Sequence, residues 1–130
     1  MNGDLKKKFG ELFSIVISSF DFNMLQHKIQ LNCYNPSLNK NITLVFNDVF
    51  GFLWINNVES RKTPLYDWEY YELTSIDLLD EIKCEYILNG SNWMNNYKFQ
   101  PNIVIDIWFP VLMIECKSIT VDGQEYLLDI

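Results

Sequence analysis

The chain has 130 residues, 48% of them hydrophobic and 15% aromatic, with a formal net charge of -7. This length suits a single domain over 1–130, and so apolar a composition offsets the entropy of ordering the chain, which excludes a disordered protein. Residues 1–65 carry seven Lys/Arg and five Asp/Glu while residues 66–130 carry three and twelve; the second half, three minus twelve or net -9, repels phosphate backbones and anionic lipid, so neither nucleic acid nor a membrane is an expected partner.

Leu5, Phe9, Leu12, Phe13, Val16 and Phe20 recur at helical spacing with Lys6, Lys7, Glu11 and Ser18 on the other side. That spacing predicts an amphipathic helix over about 4–19, capped by Asn2 or Asp4. Gly10 and the β-branched run Ile15-Val16-Ile17 oppose it. The segment also has the outline of an export signal, but Glu11 interrupts the apolar part and "FSIVI" is only five residues long, so no signal peptide is expected.

A β-rich region follows over about 24–130. "LQHKIQLNC" alternates Leu25, His27, Ile29, Leu31 and Cys33 against Gln26, Lys28, Gln30 and Asn32, the pattern of a half-buried antiparallel strand. Ile42, Leu44 and Phe46 alternate after "YNPSLNKN", "NDVFGFLWIN" starts a further strand, and the polar "NNVESRKTP" reads as a loop. "EIKCEYIL", "NIVIDIWF" and "VLMIECKSITV" are strand-like, and the Asp-Gly of "VDGQ" marks a two-residue hairpin. The expected class is mainly β (α+β): one N-terminal amphipathic helix plus an antiparallel sheet or β-sandwich of about seven to eight short strands, with the helix over a sheet face or an open end.

Chemistry-bearing residues are sparse. Cys33, Cys84 and Cys116 are far apart and each lies in an apolar or alternating run, which fits buried reduced thiols and a cytoplasmic location. His27 is the only histidine, and its place in an alternating strand points to a hydrogen-bonded structural role. Asp106 and Glu115, each flanked by apolar residues, are the carboxylates best placed for acid and base work, although alternation turns both to solvent. No phosphate loop, calcium loop or G-x-S-x-G is present, so no catalytic residue, metal site or cofactor is expected.

The loop residues Trp93, Asn95, Asn96 and Tyr97 form an alternative site, able to stack on a sugar. That second reading is a small-ligand β-sandwich or weak hydrolase; a third is a structural domain that homo-oligomerises. The most informative segment is "YDWEYYEL", 66–73, with four aromatic rings and three carboxylates in eight residues. It opens an acidic run in which Asp67, Glu69, Tyr70, Glu72, Asp77, Asp80, Glu81 and Glu85 are the expected partner-binding residues. Aromatic rings anchor interfaces and charges steer encounter. A bulge near Tyr70-Tyr71 is expected to let Trp68 and one or both tyrosines hold the segment to the sheet, and "TSIDLLDEI" to turn helical after a Thr74 or Ser75 cap.

The order "FDFNMLQHKIQL", "NITLVFNDVFGFLW", "DWEYYELTSI" and a β-rich close with a short hairpin resembles the small immunity-type proteins that accompany bacterial polymorphic toxins, including relatives encoded beside toxins of the LXG class. The resemblance implies a cytoplasmic, non-catalytic protein that neutralises one cognate toxin domain, often a basic one, by binding it; a monomer or weak homodimer is expected. It supplies no catalytic residues.

Overall fold

Ser14 takes a left-handed backbone (φ 64°), and with it the helix expected over 4–19 is cut short. The computed structural model describes residues 2–56, 65, 67–79, 99–108 and 110–128. In it α1 (Asn2–Gly10) ends at its glycine, residues 11–14 turn, and β1 (Val16–Asn23) begins within the β-branched run. The propensities of Gly10 and Ile15-Val16-Ile17 prevail over apolar periodicity. Leu5, Phe9 and Leu12 still enter the core, whereas Phe13, the next residue of the supposed apolar stripe, is 67% exposed.

The remaining strands are β2 (Lys28–Asn35), β3 (Lys40–Ile55), β4 (Tyr71–Leu78), β5 (Ile103–Ile107), β6 (Val111–Val121) and β7 (Gln124–Leu127), and every pairing between them is antiparallel. Their order is β3-β2-β1-β4-β5-β6-β7, and a further pairing of β3 with β6 closes the first six into a barrel. This corrects the sandwich expectation. β3 is sixteen residues long: Lys40–Phe46 pair with β2 on one edge, and Leu44–Ile55 pair with β6 on the other. A sandwich and a barrel show the same apolar alternation along each strand, and only a contact this distant in sequence separates them. β7 lies beside Ser118–Val121 of β6, beyond the Val111–Ile114 stretch that β5 occupies.

Alternation holds where strands are regular. Ile29, Leu31 and Cys33 of β2 face Phe46, Leu44 and Ile42 of β3, and all six are buried. They join branched aliphatics such as Ile105, Ile107 and Leu112 in one core, where each fully buried side chain contributes roughly 1.5–3 kcal/mol relative to exposure. Alternation fails at the strand ends. Residues 24–27 form the β1-β2 turn, so Leu25 is 95% exposed and His27 is an exposed turn residue with φ 58°. The expectation of an apolar-face histidine is therefore wrong. The β6-β7 turn follows the Asp-Gly prediction, with positive φ at both Asp122 and Gly123.

Three strand pairs carry a register slip, the first between Ile17 and Ser19 where β1 meets β2. Asp48 takes φ 52°, and the β3-β6 register slips between Val49 and Gly51. Gly51 lies at a close approach there: a Cβ on it would stand 3.0 Å from Phe99 Cδ1, so the Phe99 ring would have to give way. The β4-β5 register slips between Leu73 and Ser75; the irregularity expected at Tyr70-Tyr71 is instead three to four residues further on, and residues 71–78 form a strand where the start of a helix was expected. A polar cluster ties the outer strands, Asn47 donating to the hydroxyls of Ser118 (3.1 Å) and Thr120 (3.0 Å), and buried Ser118 donating to Glu125 (3.0 Å).

Candidate functional site

Directly paired residues of antiparallel strands share a face. Phe20 and Phe22 of β1 lie opposite buried Leu31 and Ile29, Phe52 and Trp54 of β3 opposite buried Ile114 and Leu112, and Tyr71 of β4 opposite buried Ile17. All five rings therefore sit on the core-facing side of the barrel, yet each keeps some exposure. They fill a mouth where pairing runs out: β1 meets β4 only at Val16 and Ile17, and the described pairing of β2 with β3 ends at Phe46. The rings meet across the barrel. Phe22 stacks on Phe52 with centroids 5.0 Å apart, Phe20 meets Trp54 edge-on at 5.2 Å, and Tyr71 reaches Trp54 at 5.9 Å and Phe20 at 6.0 Å. Each such pair adds about 0.5–1.5 kcal/mol beyond area burial.

The acidic segment begins where this aromatic cluster ends. Trp68 tilts over Tyr71 at 6.2 Å, and residues 67–70 lead into β4 along the rim. From the other side Trp108, just past β5, donates its backbone N–H to the carbonyl of Glu72 (3.1 Å) and is 61% exposed. Between them is an open depression of about 460 Å³. The described residues that line it are Asp67, Glu69 and Glu72 with their carboxylates and the aromatic Trp68, Tyr70, Tyr71 and Trp108. Glu72 is held in place, since Ser14 Oγ–H donates to its Oε1 (3.1 Å). The left-handed turn that ends the helical segment thus positions one carboxylate of the depression.

Of the sequence-predicted partner-binding residues, Asp67, Glu69, Tyr70 and Glu72 come together here. Asp77 does not: it lies along β4 in a separate groove against α1, with Lys6 and Phe13. Asp80, Glu81 and Glu85, the alternative ligand residues Trp93, Asn95, Asn96 and Tyr97, and Cys84 fall outside the described residues, as do most of the "NNVESRKTP" loop and the "EIKCEYIL" strand. Of the rings expected to hold the segment to the sheet, Tyr71 does so, whereas Trp68 and Tyr70 are exposed. The parity of β4 explains it, because Tyr71 and Leu73 face the core and the chain before Tyr71 has left the ladder.

Asp106 is exposed on β5 opposite Val111, and Glu115 of β6 accepts the Gln100 N–H at 3.0 Å. Val111 and Glu115 are four residues apart on one strand, about 13 Å, so the two carboxylates do not converge. Burial pushes the thiols of Cys33 and Cys116 up to about 12, and both are free and inert. Among the described residues no group of His, Cys, Asp and Glu is arranged to hold a metal ion, and no helix is long and apolar enough to cross a membrane.

Sequence reasoning singled out Tyr71 but passed over Trp108 and the other four rings of the mouth. A signal for four of them was present: Phe20/Phe22 and Phe52/Trp54 are aromatic pairs two residues apart on half-buried strands, and such pairs project to one face. Which side of the barrel they face depends on closure.

Residues 5–126 match the family model described as "YxiG-like protein". No curated protein and no solved structure matches the chain.

Proposed function

The chain belongs to the YxiG-like family, and from that premise we propose that it is a non-catalytic immunity-type protein, which binds and neutralises a cognate basic toxin domain through the acidic and aromatic face at its barrel mouth. The family is associated with LXG toxin systems. One observation carries the reading: every described residue lining the depression bears either a carboxylate or an aromatic ring. Exposed aromatic rings supply contact area with little side-chain entropy to lose, and uncompensated carboxylates accelerate encounter with a positively charged partner. Enzymatic readings have less support, because the single histidine is an exposed turn residue and Asp106 and Glu115 are separated.

In this reading the protein acts in the cytoplasm of the cell that makes the toxin, as a monomer, and occupies the toxin's working surface without chemistry. The test is co-expression with the variable C-terminal domain of the toxin encoded beside it. Cells should survive only when the chain is present, and the two proteins should co-purify in equal amounts. Growth arrest despite expression of the folded chain, with no complex formed, would overturn the proposal.

A further inference from the structure

Within the docking role just proposed, and resting on it, we infer that the depression between the 67–72 segment and Trp108 is an anchor site for a single arginine side chain of the partner. A carboxylate cluster alone attracts any cation. Here Asp67, Glu69 and Glu72 alternate with ring faces, which narrows the choice.

A guanidinium is flat, stays charged at any physiological pH, stacks on aromatic faces and forms paired hydrogen bonds to carboxylates. An ammonium is a compact, strongly hydrated charge that gains less from a stacked ring. The depression offers both arginine contacts together. Trp68 and Tyr71 stand with planes 34° apart at 6.2 Å, Trp108 stands across from them, and Glu72 is pre-oriented by Ser14. Its volume of about 460 Å³ lies at the lower end of ligand-sized sites, enough for one long side chain. The three carboxylates repel an anionic guest. A purely apolar guest would leave them desolvated opposite nothing, at a cost that disfavours it.

The experiment uses the full chain, labelled with nitrogen-15 and titrated with N-acetyl-arginine amide, the lysine analogue and the citrulline analogue, which keeps the shape of arginine but carries no charge. The indole N–H signals of Trp68 and Trp108 are assigned from Trp68→Phe and Trp108→Phe variants. They should move saturably with the arginine compound, respond with at least roughly threefold weaker affinity to lysine, and not respond to citrulline. The response should vanish in the Asp67→Asn, Glu69→Gln double variant, whose backbone amide spectrum shows whether it remains folded.

Absence of a saturable shift, or an equal response to citrulline, would overturn the inference. The docking role is read separately. A toxin domain that binds with unchanged affinity to Trp108→Ala, together with no arginine response, removes the anchor site and leaves the docking role standing. A clear arginine response with no toxin binding does the reverse.

Discussion

The barrel has a dry side and a wet side, built on the same strands. Along β2 and the first half of β3 the core-facing positions are Ile29, Leu31, Leu44 and Phe46, all fully buried. Along β1 and the second half of β3 the same geometric positions are Phe20, Phe22, Phe52 and Trp54, all partly open to solvent. Aliphatic side chains interdigitate where strands are paired on both edges. Larger, flatter rings serve where pairing lapses, since they span the gap and still present a face outward. The mouth is thus an opening in the fold lined by partly exposed rings, beside which the acidic segment is placed.

The contrast breaks first on stability. Ile105→Ala in the dry core should cost about 2–5 kcal/mol, since it leaves a cavity in a closed aliphatic interior. Phe22→Ala at the mouth, where the ring is 37% exposed, should cost less, about 1–2 kcal/mol, because it loses its stack on Phe52 but leaves a gap that water can enter rather than a closed cavity. Urea unfolding of the two variants measures the difference, and equal losses would mean that the mouth is simply more core.

The junction between the regions comes next. Gly51→Ala brings a methyl to 3.0 Å from Phe99 Cδ1, and the crowding should destabilise the chain by about 1–3 kcal/mol, with Phe99→Leu in the same chain restoring part of it. A neutral Gly51→Ala would show that the ring moves freely.

A smaller effect tests how dry the core is. Cys33 and Cys116 stay protonated when folded, with their thiols pushed up to about 12 by burial, and ionise near 9 when unfolded. The unfolded state therefore loses its protons first as pH rises, so each thiol's contribution to stability is intact below about pH 9 and declines from there toward 12. The fall in stability over that window should be shallower in Cys33→Ala and Cys116→Ala than in the parent, each compared by its own slope in urea titrations. Identical slopes would place water beside the thiols. Smallest of all, Asp67→Lys with Glu69→Lys should change stability by no more than about 0.5 kcal/mol, because both side chains are exposed.

Much of the dry side was legible in the sequence. The alternation of Ile29, Leu31 and Cys33 and of Ile42, Leu44 and Phe46 marks paired strands, and Asp122-Gly123 marks their last hairpin. These signals are local, set by side-chain period and turn chemistry. The wet side was harder to read because its causes are not local. The end of α1 depends on a left-handed Ser14 that also holds Glu72, and the placement of Phe52 and Trp54 depends on β3 meeting β6 about sixty residues along the chain. His27 was misread for the same reason: the two-residue period continues through "LQHKIQ", and only the turn geometry shows that the strand begins at Lys28. The carboxylates Asp67, Glu69 and Glu72 stood out by composition, but Trp108, which faces the same depression, lies just past β5 with no sequence mark of its own.

Docking of a basic partner at the acidic and aromatic mouth, as proposed, is read from the association rate of the cognate toxin domain as a function of salt. Glu72 is left intact, since it also receives the Ser14 hydroxyl, and Asp67→Lys with Glu69→Lys supplies the comparison. With the parent chain the rate should be fast at low salt and fall steeply as salt is added; with the double variant it should be at least about tenfold slower at low salt and nearly flat. Equal rates and equal salt slopes for the two chains would rule out docking at the mouth and move the docking surface elsewhere on the molecule.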